Sequence, residues 1–386
     1  MSNPTAPSTR DGLHIALLAR AAPGETRDPL IYAAELATAL QKAGLQVHIL
    51  GDQPPAVDLP FYRVEYPAAE PGDPVADARR FCAAAVQGLS RLSELRGPFH
   101  ILHACSWQTA PAALSARRHG GARAAVTFLD TLFMRTGQCG GDRTTTQIRN
   151  LEQQAVREAD LLIAGHEEVR RQLAWLYNAP DDRLRVVPAE ALPVAYPPRA
   201  TRPDPAAAPC LGFIGPWTHE GGSDVFLQMV RELAPLYPGL RFVLAAEGAS
   251  ASKVEADVRR RGLGHLLHKP EGAGDELAVC HVAVSPARAA VGHRGLYRAR
   301  ALGIPVVVAR TGAAELVDPG RTGSVAYPTA ASLSVEVKAW LSLPALVPAE
   351  SFTWDLAAAN LIAQYRVVLA RSNAAPDLID HVARSR

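Results

Sequence analysis

Lysine is almost missing from this chain of 386 residues. Four lysines (Lys42, Lys253, Lys269, Lys338) stand among 40 basic residues, and the other 36 are arginines. An excess of one charge is missing as well: 38 acidic residues leave a formal net charge of +2. That balance excludes the electrostatic footprint of a nucleic-acid or anionic-surface binder, so no nucleic acid is expected as a partner. Cysteine is sparse, with Cys82, Cys105, Cys139, Cys210 and Cys280 far apart in sequence. No CxxC pair exists, which removes the usual zinc and dithiol signatures, and no metal is expected. With no disulfide framework, a reducing, cytoplasmic setting is the expectation. No apolar run approaches the roughly 20 residues that span a bilayer. Residues 1–11 are polar and lack the apolar segment of a signal peptide.

What is present is ample core material. Apolar residues make up 48% of the chain, and the length suits two domains of ordinary size. Short apolar runs of strand length alternate with stretches of helical period. Residues 13–19 (LHIALLA) read as a strand, 30–43 as a helix stopped by Gly44, and 45–50 (LQVHIL) as a second strand. This βαβ opening implies a parallel sheet. Helices are expected over 76–96, 109–119, 148–159 and 167–175, and strands over 99–103, 124–129, 161–164 and 184–187. Between them, the polar, glycine-rich stretch 135–146 (RTGQCGGDRTTT) reads as a long loop.

Residues 196–209 hold five prolines in fourteen positions and read as an interdomain linker. The alternation then restarts. Strands are expected at 210–215, 241–246, 282–285 and 305–309, and helices at 223–237, 251–262, 296–302, 330–343 and 354–372. The expected organisation is a flexible tail (1–12), a first α/β domain (13–195), the linker, a second α/β domain (210–350) and closing helices (351–386).

Several stretches together resemble a known family. Residues 303–328 (GIPVVVARTGAAELVDPGRTGSVAYP) are similar to a segment of the retaining, group-1 (family 4) glycosyltransferases, with Gly312, Glu315, Gly320 and Gly323 on matching positions. The stretch 352–365 (FTWDLAAANLIAQY) resembles that family's closing helix, and AELATALQKAGLQVHIL and EQQAVREADLLIAG agree in the first half. The resemblance implies a GT-B fold of two Rossmann-like domains facing each other across a cleft, acceptor side first and donor side second. It also implies that the last helix returns to the first domain.

The family's catalytic positions carry other residues here. Its Gly-Gly loop after the first strand falls near Arg27 and Asp28, and its strand-end histidine falls on Leu129. Its phosphate-binding arginine and lysine fall on Pro216 and Gly221 in the stretch GPWTHEGG, and its two glutamates on Ala290 and Arg298. A departing diphosphate gains negative charge, and a proline and a glycine offer no cation to stabilise it. The resemblance therefore implies a glycosyltransferase homologue that has lost ordinary transfer activity and serves as a binding or accessory subunit. Its ligand would be a nucleotide sugar or glycan, and its partner an active glycosyltransferase or a second copy of itself.

The alternative is an active enzyme with a rewired donor site. Arg288, Gly292, His293, Arg294, Gly295 and Arg298 form a basic, glycine-bearing cluster at the start of a helix, where free N–H groups favour anions. His219 lies in the loop that lacks the expected cations, and Gly312 and Glu315 belong to the family-like segment. Each also has a plain reading as a solvated or turn residue. On the acceptor side, Asp130 survives beside Leu129, and His103 ends a strand two residues before Cys105. Asp130 is open to an acceptor contact or a turn role. For His103 and Cys105 a packed strand end is favoured over a nucleophile.

Overall fold

The computed structural model describes residues 12–21, 29–67, 72–137, 141–193, 207–247, 250–270, 276–288, 293–311, 313–343 and 352–373. The chain divides into two compact units, residues 1–189 with 354–386, and residues 190–353.

The first unit is built on seven parallel strands: β1 (His14–Leu18), β2 (Gln46–Gly51), β3 (Phe61–Arg63), β4 (Ile101–Ala104), β5 (Arg123–Phe128), β6 (Leu161–Ala164) and β7 (Leu184–Val186). Their order is β3-β2-β1-β4-β5-β6-β7. Every residue of β1, β4 and β6 is buried, which is why these strands read as unbroken apolar runs rather than alternating ones. Helices α1 (Pro29–Lys42), α2 (Pro74–Arg96), α3 (Ala110–Gly120), α4 (Leu132–Thr136), α5 (Arg143–Glu158) and α6 (Glu167–Tyr177) connect them. The strand β3 escaped the sequence reading because it has three residues, none fully buried, and so carries little apolar signal.

The glycine-rich loop is shorter than expected. Arg135 and Thr136 close α4, and Arg143 already opens α5. Asp142 and Thr145 explain the early start, since each side chain accepts from the other's backbone N–H in a capping box. Cys139 lies outside the described residues.

The second unit has five parallel strands: β8 (Cys210–Pro216), β9 (Arg241–Glu247), β10 (Val282–Ser285), β11 (Val306–Ala309) and β12 (Gly323–Ala326). Their order is β12-β11-β10-β8-β9. Helices α7 (Ser223–Leu233), α8 (Ala251–Arg260), α9 (His293–Ala301) and α10 (Ala330–Leu341) connect them. Two apolar clusters form the core. One contains Phe213, Phe226 and Phe242, the other Ile214, Leu296 and Val308. The proline-rich stretch lies outside the described residues from 194 to 206, and the division between units falls earlier, between Ala189 and Glu190.

The last helix, α11 (Trp354–Asn373), belongs to the first unit although the second unit precedes it in sequence. Trp354 meets Tyr32 of α1 at 5.8 Å between ring centroids, and Tyr365 is fully buried. Among the described residues, no helix is long and apolar enough to cross a membrane.

Candidate functional site

In an open parallel sheet the crevice for ligands lies at the carboxyl ends of the strands, where the strand order reverses. In the second unit that point is between β8 and β10. The loop after β8 runs from Trp217 to Gly222, and the loop after β10 begins at Pro286. These loops hold His219 and Arg288, and α9, which follows the second loop, carries His293, Arg294, Gly295 and Arg298.

The two loops are fastened to each other. Arg288 N–H donates to the Glu220 carbonyl at 2.7 Å. Its guanidinium donates to the His219 carbonyl, and to both carboxylate oxygens of Asp224 at 2.8 and 2.9 Å. This bidentate pairing holds the Asp224 carboxyl below the usual carboxylate range. Asp224 sits in the first turn of α7, where the helix dipole and free N–H groups attract an anion. The protein's own carboxylate therefore stands in the first turn, where a phosphate would be drawn. The loop's backbone donors are also engaged: Gly221 N–H on Thr218 Oγ1, Gly222 N–H on the His219 carbonyl, and Ser223 N–H on the Thr218 carbonyl.

The loop's backbone leaves no room for a cation at its tightest point. A Cβ on Gly221 would lie 1.9 Å from the Pro216 carbonyl oxygen. Gly222 has φ +75°, and a Cβ there would lie 2.3 Å from the Pro286 carbonyl oxygen. His219 is 70% exposed, with Nδ1 3.7 Å from Asp224.

The other candidates disperse. Arg298 is paired with Glu276 at 3.2 Å. The Arg294 backbone N–H donates to Glu190 Oε2 at 3.1 Å. The missing Cβ of Gly295 makes way for Ile214, which a Cβ would approach to 2.5 Å, so helix-to-strand packing by itself accounts for a glycine there. Glu315 lies in the turn Ala314–Leu316, with both carboxylate oxygens enclosed. Gly292, Gly312, Ala290, Arg27 and Asp28 lie outside the described residues, as does the side chain of His293.

In the first unit His103 is the packed strand end that the sequence favoured, and not an acceptor-side group. It is fully buried, with Nδ1 2.6 Å from the Tyr365 hydroxyl and Nε2 2.6 Å from Thr127 Oγ1. Burial pushes its pKa down to about 3, so it is a neutral core residue and faces no acceptor. Cys105 is equally enclosed and burial pushes its thiol up, which leaves an inert side chain. Leu129, at the position of the family's histidine, is buried.

Asp130 follows β5 and is 5% exposed. Its Oδ1 accepts from Arg135 Nη1, while Oδ2 is enclosed without a hydrogen bond. Arg135 also reaches Glu152 Oε1 at 3.0 Å. Glu152 is wholly buried and accepts from the Tyr177 hydroxyl and the Leu132 N–H. Burial raises the Glu152 carboxyl, and Arg135 opposes that rise. The sequence reading missed both Asp224 and this network. Asp224 does leave a trace, an acidic residue in the first turn after a glycine pair. Nothing local marks Glu152, which looks like any charged residue of an amphipathic helix. Among the described residues no group of three His, Cys, Asp or Glu side chains is placed to hold a metal ion.

This architecture is shared with known proteins. Residues 30–190 match the glycosyl transferase 4-like domain, and residues 208–342 match glycosyl transferases group 1. A D-inositol 3-phosphate glycosyltransferase of Saccharomonospora viridis is 27% identical over 88% of this chain and 89% of its own. The sucrose-phosphate synthase of Thermosynechococcus elongatus has the same fold with a TM-score of 0.67, at 16% identity over 93% of this chain and 100% of its own. The Anabaena protein HepE in complex with UDP-glucose gives 0.62, at 15% identity over 94% and 100%. The fold is thus that of the GT-B proteins, with two Rossmann-like α/β domains. Within that class, the two successive matches place the chain in the glycosyltransferase group 1 family.

Proposed function

We propose that this chain is a group 1 glycosyltransferase homologue without ordinary transfer activity, acting as a nucleotide-sugar or glycan-binding subunit, in support of an active glycosyltransferase. The observation that carries this reading is the Asp224–Arg288 pair in the first turn of α7, beside a glycine that cannot bear a cation. Transfer from a nucleotide sugar needs positive charge where the diphosphate departs. Here the arginine that reaches the crevice is already matched by a carboxylate, and Pro216 and Gly221 add none.

A nucleotide sugar remains the expected ligand class, since the same fold carries UDP-glucose in HepE. The test is a panel of UDP-glucose, UDP-N-acetylglucosamine, GDP-mannose and ADP-glucose. Binding is read by thermal shift and turnover by release of nucleoside diphosphate. A stabilising shift with at least one of them, and no release above the protein-free rate, supports the proposal. Release that Arg288→Ala abolishes overturns it in favour of an active enzyme with a rewired donor site. Isolation from the native host with a second, catalytically active chain supports the accessory role.

A further inference from the structure

A surface of the first unit has the chemistry of a ligand site. Trp175 of α6 is 76% exposed. A single exposed aromatic is common on protein surfaces, so its meaning rests on the side chains around it. Trp175 ends a helical face that runs back through Gln172, Arg171 and Glu168, at spacings of three and four residues. These polar side chains hold one another in place. Arg171 donates to Glu168 Oε2 from Nε at 3.1 Å and from Nη2 at 2.6 Å, and Gln172 Nε2 donates to Glu168 Oε1 at 2.7 Å. Phe133 of α4 forms the other wall, and the groove between them has a volume of about 580 Å³. Small-molecule sites occupy about 300–1,000 Å³.

We propose that this groove binds a neutral glycan, with a sugar ring stacked on Trp175. A pyranose presents one face of C–H groups, which suits an aromatic ring, and a rim of hydroxyls that both donate and accept. A carboxylate and a guanidinium are planar groups that meet such a rim in pairs of hydrogen bonds, and the buried Gln172 amide holds the carboxylate in place. Fixed by one another beforehand, they lose little freedom on binding.

The local charge selects against other occupants. Glu168 is matched by Arg171 and Glu167 by Arg170, each pair at 2.6 Å, so the face carries no net charge. An anionic membrane surface rewards uncompensated cations, and Arg170 and Arg171 are both paired with carboxylates. The groove is also joined to the end of β5, since Thr131 Oγ1 donates to the Gln172 side-chain carbonyl and Thr131 adjoins Asp130. The choice of a glycan rests on the proposed function. The groove and the β8–β10 crevice are lined by different residues of different units, so failure of one is distinguishable from failure of the other.

The experiment is binding of the full chain to an array of neutral oligosaccharides of α- and β-linked hexoses and N-acetylhexosamines. It is repeated with Trp175→Ala, Trp175→Phe and Arg171→Ala. At least one oligosaccharide should bind, with affinity falling roughly tenfold or more in Trp175→Ala, which removes the stacking surface. Trp175→Phe should keep most of it. All variants should keep the wild-type melting temperature within a few degrees, because the side chain lies in water. Absence of any Trp175-dependent oligosaccharide binding overturns the proposal. So does Trp175-dependent binding to phosphatidylserine vesicles, or a self-association that Trp175→Ala abolishes, since either assigns the surface to another occupant. Oligosaccharide binding without any nucleotide-sugar shift upholds this site while overturning the donor-side reading.

Discussion

His103 Nδ1 and the Tyr365 hydroxyl, 262 residues apart in sequence, share a 2.6 Å hydrogen bond in the buried core of the first unit. The contact fastens α11 to the middle of the sheet. The other ring nitrogen is taken by Thr127, whose hydroxyl also meets the Tyr32 hydroxyl at 3.2 Å, so four side chains form one enclosed polar chain. Tyr365→Phe keeps the ring but strips a buried nitrogen of its partner. It should cost about 1–3 kcal/mol. Tyr365→Ala adds a cavity and should cost about 3–5 kcal/mol. Urea denaturation of the two variants checks the order, and an unchanged midpoint in Tyr365→Phe would show that the hydrogen bond contributes nothing.

Three histidines make the first unit sensitive to acid. Burial lowers the pKa of His14, His48 and His103 below the ordinary 6.5. The folded state therefore binds fewer protons than the unfolded chain. The stability these groups confer is fully present above about pH 6.5 and is lost as the pH falls below it. For His103, pushed to about 3, the loss by pH 5 is about 2 kcal/mol. Urea midpoints should fall between pH 7 and pH 5, with a shallower fall in His103→Gln. A flat profile would contradict the buried neutral state.

Arg135 is the counter-ion of two buried carboxylates, Asp130 and Glu152. Arg135→Ala should cost about 3–5 kcal/mol at neutral pH, because it leaves charge enclosed without compensation. The same variant should recover part of that loss on mild acidification, as Glu152 takes up a proton. Adding Glu152→Gln to Arg135→Ala should restore stability at pH 7 relative to the single variant. A double-mutant cycle with no coupling would refute the arrangement.

The Asp224–Arg288 pair is partly exposed, with the side chains 36% and 31% accessible. Asp224→Asn should therefore change stability by no more than about 1 kcal/mol. It should strengthen binding of UDP, GDP or ADP several-fold, since it removes a competing anion from the first turn of α7. Unchanged affinities by calorimetry would mean that Arg288 does not reach the diphosphate.

Gly221→Ala tests the closed backbone of the same loop. The added Cβ must displace the Pro216 carbonyl, and such overpacking costs about 1–3 kcal/mol. Gly221→Lys should be at least as destabilising and should not create transfer activity. Nucleoside diphosphate release by Gly221→Lys at wild-type stability would show that the loop opens readily.

The sequence alone determined the two α/β units, the parallel sheets and most helix positions. These follow from local pattern: unbroken apolar runs such as Val306–Ala309, amphipathic spacing such as that of α7, and glycine stops. It also pointed to the loops of the candidate site, through their resemblance to the donor-side segments of a known family rather than through local pattern. It did not show which charged residues there are committed elsewhere. Arg288 and Asp224 are 64 residues apart, and Gly295 meets Ile214 across a helix–strand contact. His103 became a core residue only when a helix more than two hundred positions later covered it. Burial and pairing depend on which distant segments meet, and the cost of a charge depends on that environment. Tertiary structure alone therefore decided which of the sequence's candidates stay available to a ligand.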